Sequence, residues 1–168
     1  RAMMEMHRDR KRVFVDALGW KLRAPGSWLE VDEFDTEQAV YLVATNAGGG
    51  HEASVRLLAT SQPHMMSELF PGLCPQGPVR SDRVWEISRL VTSPDLQRGS
   101  SVFAVHRRLA MALMEFALLN DIERYVMVIE PRRIPALLSI GWQVDPISFP
   151  VEHEDGQIQA LTIHVCEA

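Results

Sequence analysis

Hydrophobic and polar positions follow two different periods along this chain. Near the start, Met3, Met6, Val13 and Leu18 recur at helical spacing, which predicts a helix over residues 2–18 stopped at "LGW". "LRAPGSWLEVDEFDTE" follows as a loop of turn residues and carboxylates. "QAVYLVATN" and "ASVRLLAT" read as strands, and the glycine turn "AGGGHE" between them predicts an antiparallel hairpin. "SQPHMMSELFPGLCPQGPVRS" is a long connection with short helical pieces. "DRVWEISRLVTSP" is a third strand.

The period then changes. "SSVFAVHRRLAMALMEFALLND" is a long helix with Val102, Val105, Leu109, Ala112, Leu113 and Phe116 on one stripe and Ser100 or Ser101 as N-cap. "ERYVMVIE" reads as a strand buried on both faces, and "PRRIPALLSIG" as a short helix ended by Gly141. "WQVDPISFPV" and "IQALTIHVCE" close the chain as two strands, with a hairpin signal at Asp155-Gly156. This order predicts an α/β fold, a three-layer sandwich with one mixed central sheet flanked by helices. Strand, glycine-containing loop, helix and strand in its middle is the acetyltransferase-like (GNAT-type) arrangement. In it, Arg98, Gly99 and Ser100 of "SPDLQRGSS" would offer backbone N–H groups or charge to a carrier's phosphates.

Composition narrows the function classes. The 168 residues are 46% hydrophobic and 23% charged, which suits one globular domain. A net charge of −5 and a pI near 5.7 argue against a dedicated nucleic-acid binder. Two distant cysteines, Cys74 and Cys166, give neither a disulfide framework nor zinc-ligand spacing. No apolar run reaches membrane-spanning length and no secretory signal is visible, so a cytoplasmic protein without a membrane partner is expected. The chain opens helix-like at "RAMMEMHRDR", without a start signal. The expectation is one domain over 1–168 that lacks its extreme N-terminal segment.

Within this pattern "RVWEISRL" is anomalous, because Glu86, Ser88 and Arg89 interrupt the most strand-like segment. A buried charge costs several kcal/mol unless it is paired. Together with "RKRVFVDALGW", "EVDEFD" and "VRLLATSQPHMMSELFP", this segment resembles the acyl-homoserine-lactone synthases, the autoinducer synthases of bacterial quorum sensing. The likeness is strong from Arg10 to about Pro94 and weaker to Trp142.

The resemblance implies an acyltransferase that joins S-adenosylmethionine to an acyl thioester, carried by acyl carrier protein or coenzyme A. Lactone closure then releases methylthioadenosine. S-adenosylmethionine is a substrate, and no permanently bound cofactor or metal is implied. The family's shared set falls on Arg10, Phe14, Trp20, Glu30, Asp32, Asp35, Arg56, Phe70, Glu86 and Arg89, and every charged member is present.

Glu86 is then the candidate general base for the donor's amine, directly or through one water; the alternative is a salt-bridge partner of Arg10, Arg56 or Arg89. Asp32 and Asp35 suit a cationic substrate or an ion network with the arginines. Arg10 and Arg89 are candidates to clamp the donor's carboxylate, with Phe14, Trp20 and Trp28 as aromatic walls. Met66, Phe70, Met127, Leu137 and Trp142 are candidates for the acyl tunnel. Met127 stands where family members making 3-oxo signals carry threonine, which implies an acyl chain without a 3-oxo group. Glu86 and Arg89 are three residues apart and would face opposite sides of a regular strand. Sharing one site therefore predicts a bulge around Ile87-Ser88, whose freed N–H would hold the thioester oxygen. His64 and His106 fall at no family site. A different N-acyltransferase and a non-catalytic relative are the competing readings; the acidic loop speaks against the first and the complete charged set against the second.

Overall fold

The computed structural model describes residues 1–22, 28–96, 100–154 and 156–165. The chain divides into two compact units, Arg1–Arg56 with Arg89–Leu113 and Leu57–Ser88 with Met114–Ala168.

In the first unit, α1 (Ala2–Arg10) runs directly into a wider π-type winding over Lys11–Ala17. The N–H of Leu18 reaches back five residues to Val13 O at 3.0 Å, and that of Trp20 reaches Phe14 O at 2.9 Å. Val13, Phe14 and Val15 are β-branched and aromatic side chains that crowd an ordinary helical turn, and the wider winding relieves them. The buried face also differs from the expected one. Met6 and Phe14 are buried with Asp9 and Arg10, whereas Met3 and Leu18 are 43% and 39% exposed. Two charged residues thus take positions that apolar periodicity reserves for methionine and leucine.

β1 (Val40–Thr45) and β2 (His51–Ala59) form the expected hairpin. Asn46 shapes its turn, with Oδ1 accepting the N–H groups of Gly48 and Gly50 at 2.9 and 3.0 Å while Gly49 takes φ +73°. The strand order here is β1-β2-β3. The N–H of Ser93, just beyond β3 (Val84–Thr92), donates to Glu52 O at 2.8 Å. β3 is irregular where the odd spacing predicts: its parallel pairing with residues 124–126 ends at Glu86, and Arg89 takes φ +52°. A non-glycine residue in that region costs about 1–3 kcal/mol and needs compensation, which its ion pairs supply. Glu86, Ile87, Ser88 and Arg89 are buried in succession, as residues 53–58 are on β2, because both strands are covered on both faces.

α3 (Ser100–Leu119) begins in the first unit and ends in the second. Val105, Leu109 and Leu113 of the expected stripe are buried, and Val102, Ala112 and Phe116 are half-buried.

In the second unit Thr60 N–H donates to Val84 O at 3.0 Å, and the strand order continues β2-β3-β4-β7-β5. The long connection holds only α2 (Met65–Glu68) and a 3₁₀ turn at Pro71–Leu73. β4 (Arg124–Ile129) pairs parallel with β3, placing Glu86 beside Val126. α4 (Ile134–Ser139) follows a 3₁₀ turn at Pro131–Arg133, and Gly141 ends it at φ +96°. Three strands close the chain instead of two: β5 (Val144–Pro146), β6 (Val151–His153) and β7 (Gly156–His164). Pro146 and Pro150 offer no N–H to a ladder, so "WQVDPISFPV" breaks into two short pieces. β7 is antiparallel to β4, β5 and β6. Parallel and antiparallel pairs in one sheet, with helices between strands, make the mixed α/β class the sequence predicts. No helix among the described residues is long and apolar enough to cross a membrane.

Candidate active site

The acidic loop and the arginines meet in the first unit. Arg10 is 1% exposed. Its Nη1 and Nη2 donate to the two carboxylate oxygens of Asp35, each at 2.8 Å, and its Nε donates to Glu30. Arg56 donates from Nη1 to Asp32 at 2.5 Å and to Asp35 at 2.8 Å, and from Nη2 to the second Asp32 oxygen at 3.1 Å. Arg89 reaches Glu30 from Nε at 3.2 Å and Asp32 from Nη2 at 2.6 Å. Three guanidiniums thus face the three carboxylates of Glu30, Asp32 and Asp35.

Loop geometry aims these carboxylates. Asp32 Oδ1 accepts the N–H of Phe34 at 2.9 Å, and Asp35 Oδ2 accepts the N–H of Asp32 at 2.8 Å. The Glu30 N–H donates to His7 O at 3.0 Å, tying the loop to α1.

Sequence reasoning missed two members of this cluster. The Tyr41 hydroxyl donates to Asp35 at 2.6 Å, and the ring of buried Phe34 lies 5.7 Å from the Arg56 guanidinium carbon. Phe34 sits inside "EVDEFD", and its place between acidic neighbours was the available signal. Phe14 stacks on Trp20 at 4.8 Å and 7°, with the Arg89 guanidinium 5.7 Å from the Phe14 ring. Trp28 is 56% exposed and lies beside Arg8, so it joins neither that stack nor the network.

For Arg10 and Arg89 the geometry matches an ion network, the second of the two roles expected of them. Arg10 and Arg89 are engaged by protein carboxylates and nearly buried, which does not suit a clamp for a substrate carboxylate.

Electrostatics follow from the pairing. Burial opposes ionisation of Asp35, but the Arg10 hydrogen bonds and the charges of Arg10 and Arg56 outweigh it, so its carboxyl lies well below the usual range. Burial pulls the Arg89 guanidinium down, partly offset by Glu30 and Asp32. Burial and the bond to Asp35 raise the Tyr41 phenol. A depressed carboxyl contributes stability that is present above its unfolded pKa, about 3.9 for Asp. That contribution is lost as pH falls through the lower folded value. The Tm gap between the parent and Asp35→Asn is therefore expected to narrow from about pH 6 to pH 3; thermal melts across that range check it, and a constant gap would contradict it.

Glu86 lies in the second unit and is 1% exposed. Both its oxygens approach the Met66 N–H, at 3.3 and 3.4 Å. Strand alternation gives Glu86 the face of Val84, and Val84 belongs to an apolar cluster with Met66, Leu73, Cys74, Val126 and Ala160. Phe70, Val128, Ile147 and Ile158 pack on it. Burial first, then the Glu86 charge, push the Cys74 thiol up. Of the expected acyl-facing residues, Met66 and Phe70 are in this cluster.

Met127 is buried but follows Val126 and precedes Val128 on β4, so alternation turns it to the opposite face. The sequence pattern identifies the strand but not the face that Met127 takes. Leu137 is buried on α4 and Trp142 is half-buried beyond it, neither of them in the cluster around Met66.

Arg98, Gly99, the Ser100 side chain and Cys166 lie outside the described residues. Elsewhere Arg108 pairs with Glu52, and Arg132 and Arg133 with Glu130. His64 caps α2, and His106 is 2.7 Å from the Thr92 hydroxyl. No cluster of metal-ligating side chains occurs among the described residues.

A mixed sheet whose irregular strand carries a buried carboxylate against an apolar cluster fits the acetyltransferase-like fold, and the proteins this chain resembles make it an acyltransferase. The chain belongs to the autoinducer synthase family, whose model matches residues 1–168, beyond the span over which its motifs are legible by eye. The isovaleryl-homoserine lactone synthase of Bradyrhizobium diazoefficiens is 34% identical over 173 residues, covering 97% of this chain and 73% of that protein. The solved structure of a CoA-dependent acyl-homoserine lactone synthase, BjaI, with SAM and isopentyl-CoA is 31% identical with a TM-score of 0.89, covering 98% of this chain and 76% of that one. An N-acyl amino acid synthase from uncultured soil microbes, FeeM, is 13% identical with a TM-score of 0.68 over 96% of this chain and 89% of its own, a likeness of fold alone.

Proposed function

We propose that this enzyme makes an acyl-homoserine lactone from S-adenosylmethionine and an acyl-coenzyme A whose chain carries no 3-oxo group. The observation that carries the reading is the buried Glu86 facing the Met66–Val126 apolar cluster. The likeness to a CoA-dependent synthase with SAM and isopentyl-CoA supports coenzyme A over a carrier protein.

Chemically, the amine nitrogen of S-adenosylmethionine attacks the thioester carbonyl carbon. Glu86 takes the nitrogen's proton as the bond forms, when that proton is far more acidic than in the free ammonium. The tetrahedral intermediate expels the coenzyme A thiolate. The donor's carboxylate oxygen then attacks its own γ-carbon, the carbon–sulfonium bond breaks, and methylthioadenosine leaves as the lactone closes. The ion network holds the chain around Phe14 and the acidic loop in shape for the cationic donor. Both substrates are cytoplasmic metabolites, and a cytoplasmic enzyme is part of this reading.

A 3-oxo group needs a hydrogen-bond donor to replace water. Val126, Val128 and Ala160 provide none, so the inference first drawn from Met127 rests better on these residues. Incubation with S-adenosylmethionine and matched acyl-CoA pairs is expected to yield lactone and methylthioadenosine by mass spectrometry. Turnover of a saturated or branched acyl-CoA should exceed that of its 3-oxo counterpart by roughly tenfold, the scale of one unpaired polar group. No methylthioadenosine with any thioester would refute the function, and a preference for the 3-oxo donor would refute the acyl assignment.

A further inference from the structure

A second buried polar cluster lies in the first unit, apart from the arginine network. Asp9 is 4% exposed, His51 6% and Ser54 1%. The His51 Nδ1 lies 2.8 Å from Asp9 Oδ2 and its Nε2 lies 3.0 Å from the Ser54 hydroxyl, so both ring nitrogens are bonded. One helical turn earlier, Glu5 Oε2 accepts the backbone N–H of the same histidine at 3.0 Å. Arg12 closes the group with a bond to Asp9 at 3.0 Å. Two carboxylates four residues apart on α1 therefore grip the first residue of β2, one by its side chain and one by its backbone.

Burying a carboxylate and an imidazole is costlier than burying two apolar side chains, so their use here calls for a geometric purpose. The next residue along α1 is Arg10, whose bidentate bond to Asp35 tolerates little sliding or rotation of the helix. Immediately after it the helix widens into the π winding that carries Phe14. Ordinary i→i−4 bonds do not hold register through such a winding, so α1 needs an anchor just before it, and Asp9 occupies that point.

We infer that His51 and Asp9 are positioning residues for the S-adenosylmethionine half of the reaction, acting by locking α1 so that Arg10 and Phe14 stay in place. The inference rests on the functional reading above.

The test compares His51→Leu, which removes both ring bonds, with His51→Asn, whose Nδ2 can still donate to Asp9. S-adenosylmethionine affinity is measured by calorimetry, KM for both substrates by turnover, and Tm by circular dichroism. His51→Leu is expected to weaken S-adenosylmethionine binding about tenfold or more, since misplacement by about 1 Å at a remote site costs up to 10²-fold. The acyl-CoA KM should stay within about twofold, and His51→Asn should recover most of the loss. A folded His51→Leu with parental affinity, equal losses for both substrates, or no recovery in His51→Asn would overturn the inference. Should His51→Leu fail to fold, Glu5→Ala on the partly exposed edge of the clamp should weaken binding about threefold; parental affinity there would overturn it equally. A parent protein that fails to bind S-adenosylmethionine would remove the functional reading and this inference with it. Variants that match a binding parent would remove this inference alone.

Discussion

Glu86→Gln is expected to lower kcat by about 10²- to 10⁴-fold, the usual contribution of a general base, with S-adenosylmethionine affinity nearly unchanged. Glutamine keeps the shape of the side chain and an oxygen for the Met66 N–H, while the substitution removes the charge and the basicity. Folding is expected to hold, because glutamine matches glutamate in volume and keeps the bond to the Met66 N–H. Lost turnover beside a preserved Tm and preserved donor binding is a signature that a structural salt-bridge role does not produce. Steady-state kinetics, calorimetry and a thermal melt on the same preparation check it. Turnover within about threefold of the parent would strip Glu86 of the role.

The sequence made Glu86 conspicuous for the same reason the structure makes it costly: a carboxylate interrupts an otherwise apolar strand. The strands themselves were legible because Val, Ile, Leu and Trp alternate between turn residues, and β2, β3 and β4 fall where that pattern puts them. What periodicity could not reveal was pairing between distant charges. Asp9 carries no local signal of burial, yet His51, 42 residues away, buries it, and Arg10 is matched to Asp35, 25 residues away. Tyr41 was assigned to a strand correctly, but nothing local to it shows that its hydroxyl meets Asp35. Met127 illustrates the complementary limit. Its strand was certain, but a side chain's face depends on register, and one residue of uncertainty exchanges the two faces. The irregularity in β3 was inferred from odd spacing alone. In the structure the pairing with residues 124–126 ends at Glu86, and Arg89, in ion pairs with Glu30 and Asp32, takes a backbone conformation that arginine otherwise avoids.

Arg56→Met is expected to be the most destabilising single change in the molecule. Arg56 is 0% exposed and bonds to both Asp32 and Asp35. Methionine fills much of its volume but leaves two nearly buried carboxylates short of positive charge. Removing one partner of a buried ion pair costs about 3–5 kcal/mol, which for a chain of this size is a Tm loss of roughly 6–20 °C. The asymmetry of that cost gives the decisive control. Adding Asp32→Asn to Arg56→Met removes an orphaned charge rather than a contact, so the double variant is expected to melt above the single one even though it retains less of the network. Thermal melts of the parent, both single variants and the double variant complete the cycle. If the losses instead add, the arginines act as packing volume and not as counter-charges. In that case the network would not hold the acidic loop in place for a cationic substrate. Rescue by the second substitution would show that charge balance keeps Glu30, Asp32 and Asp35 buried.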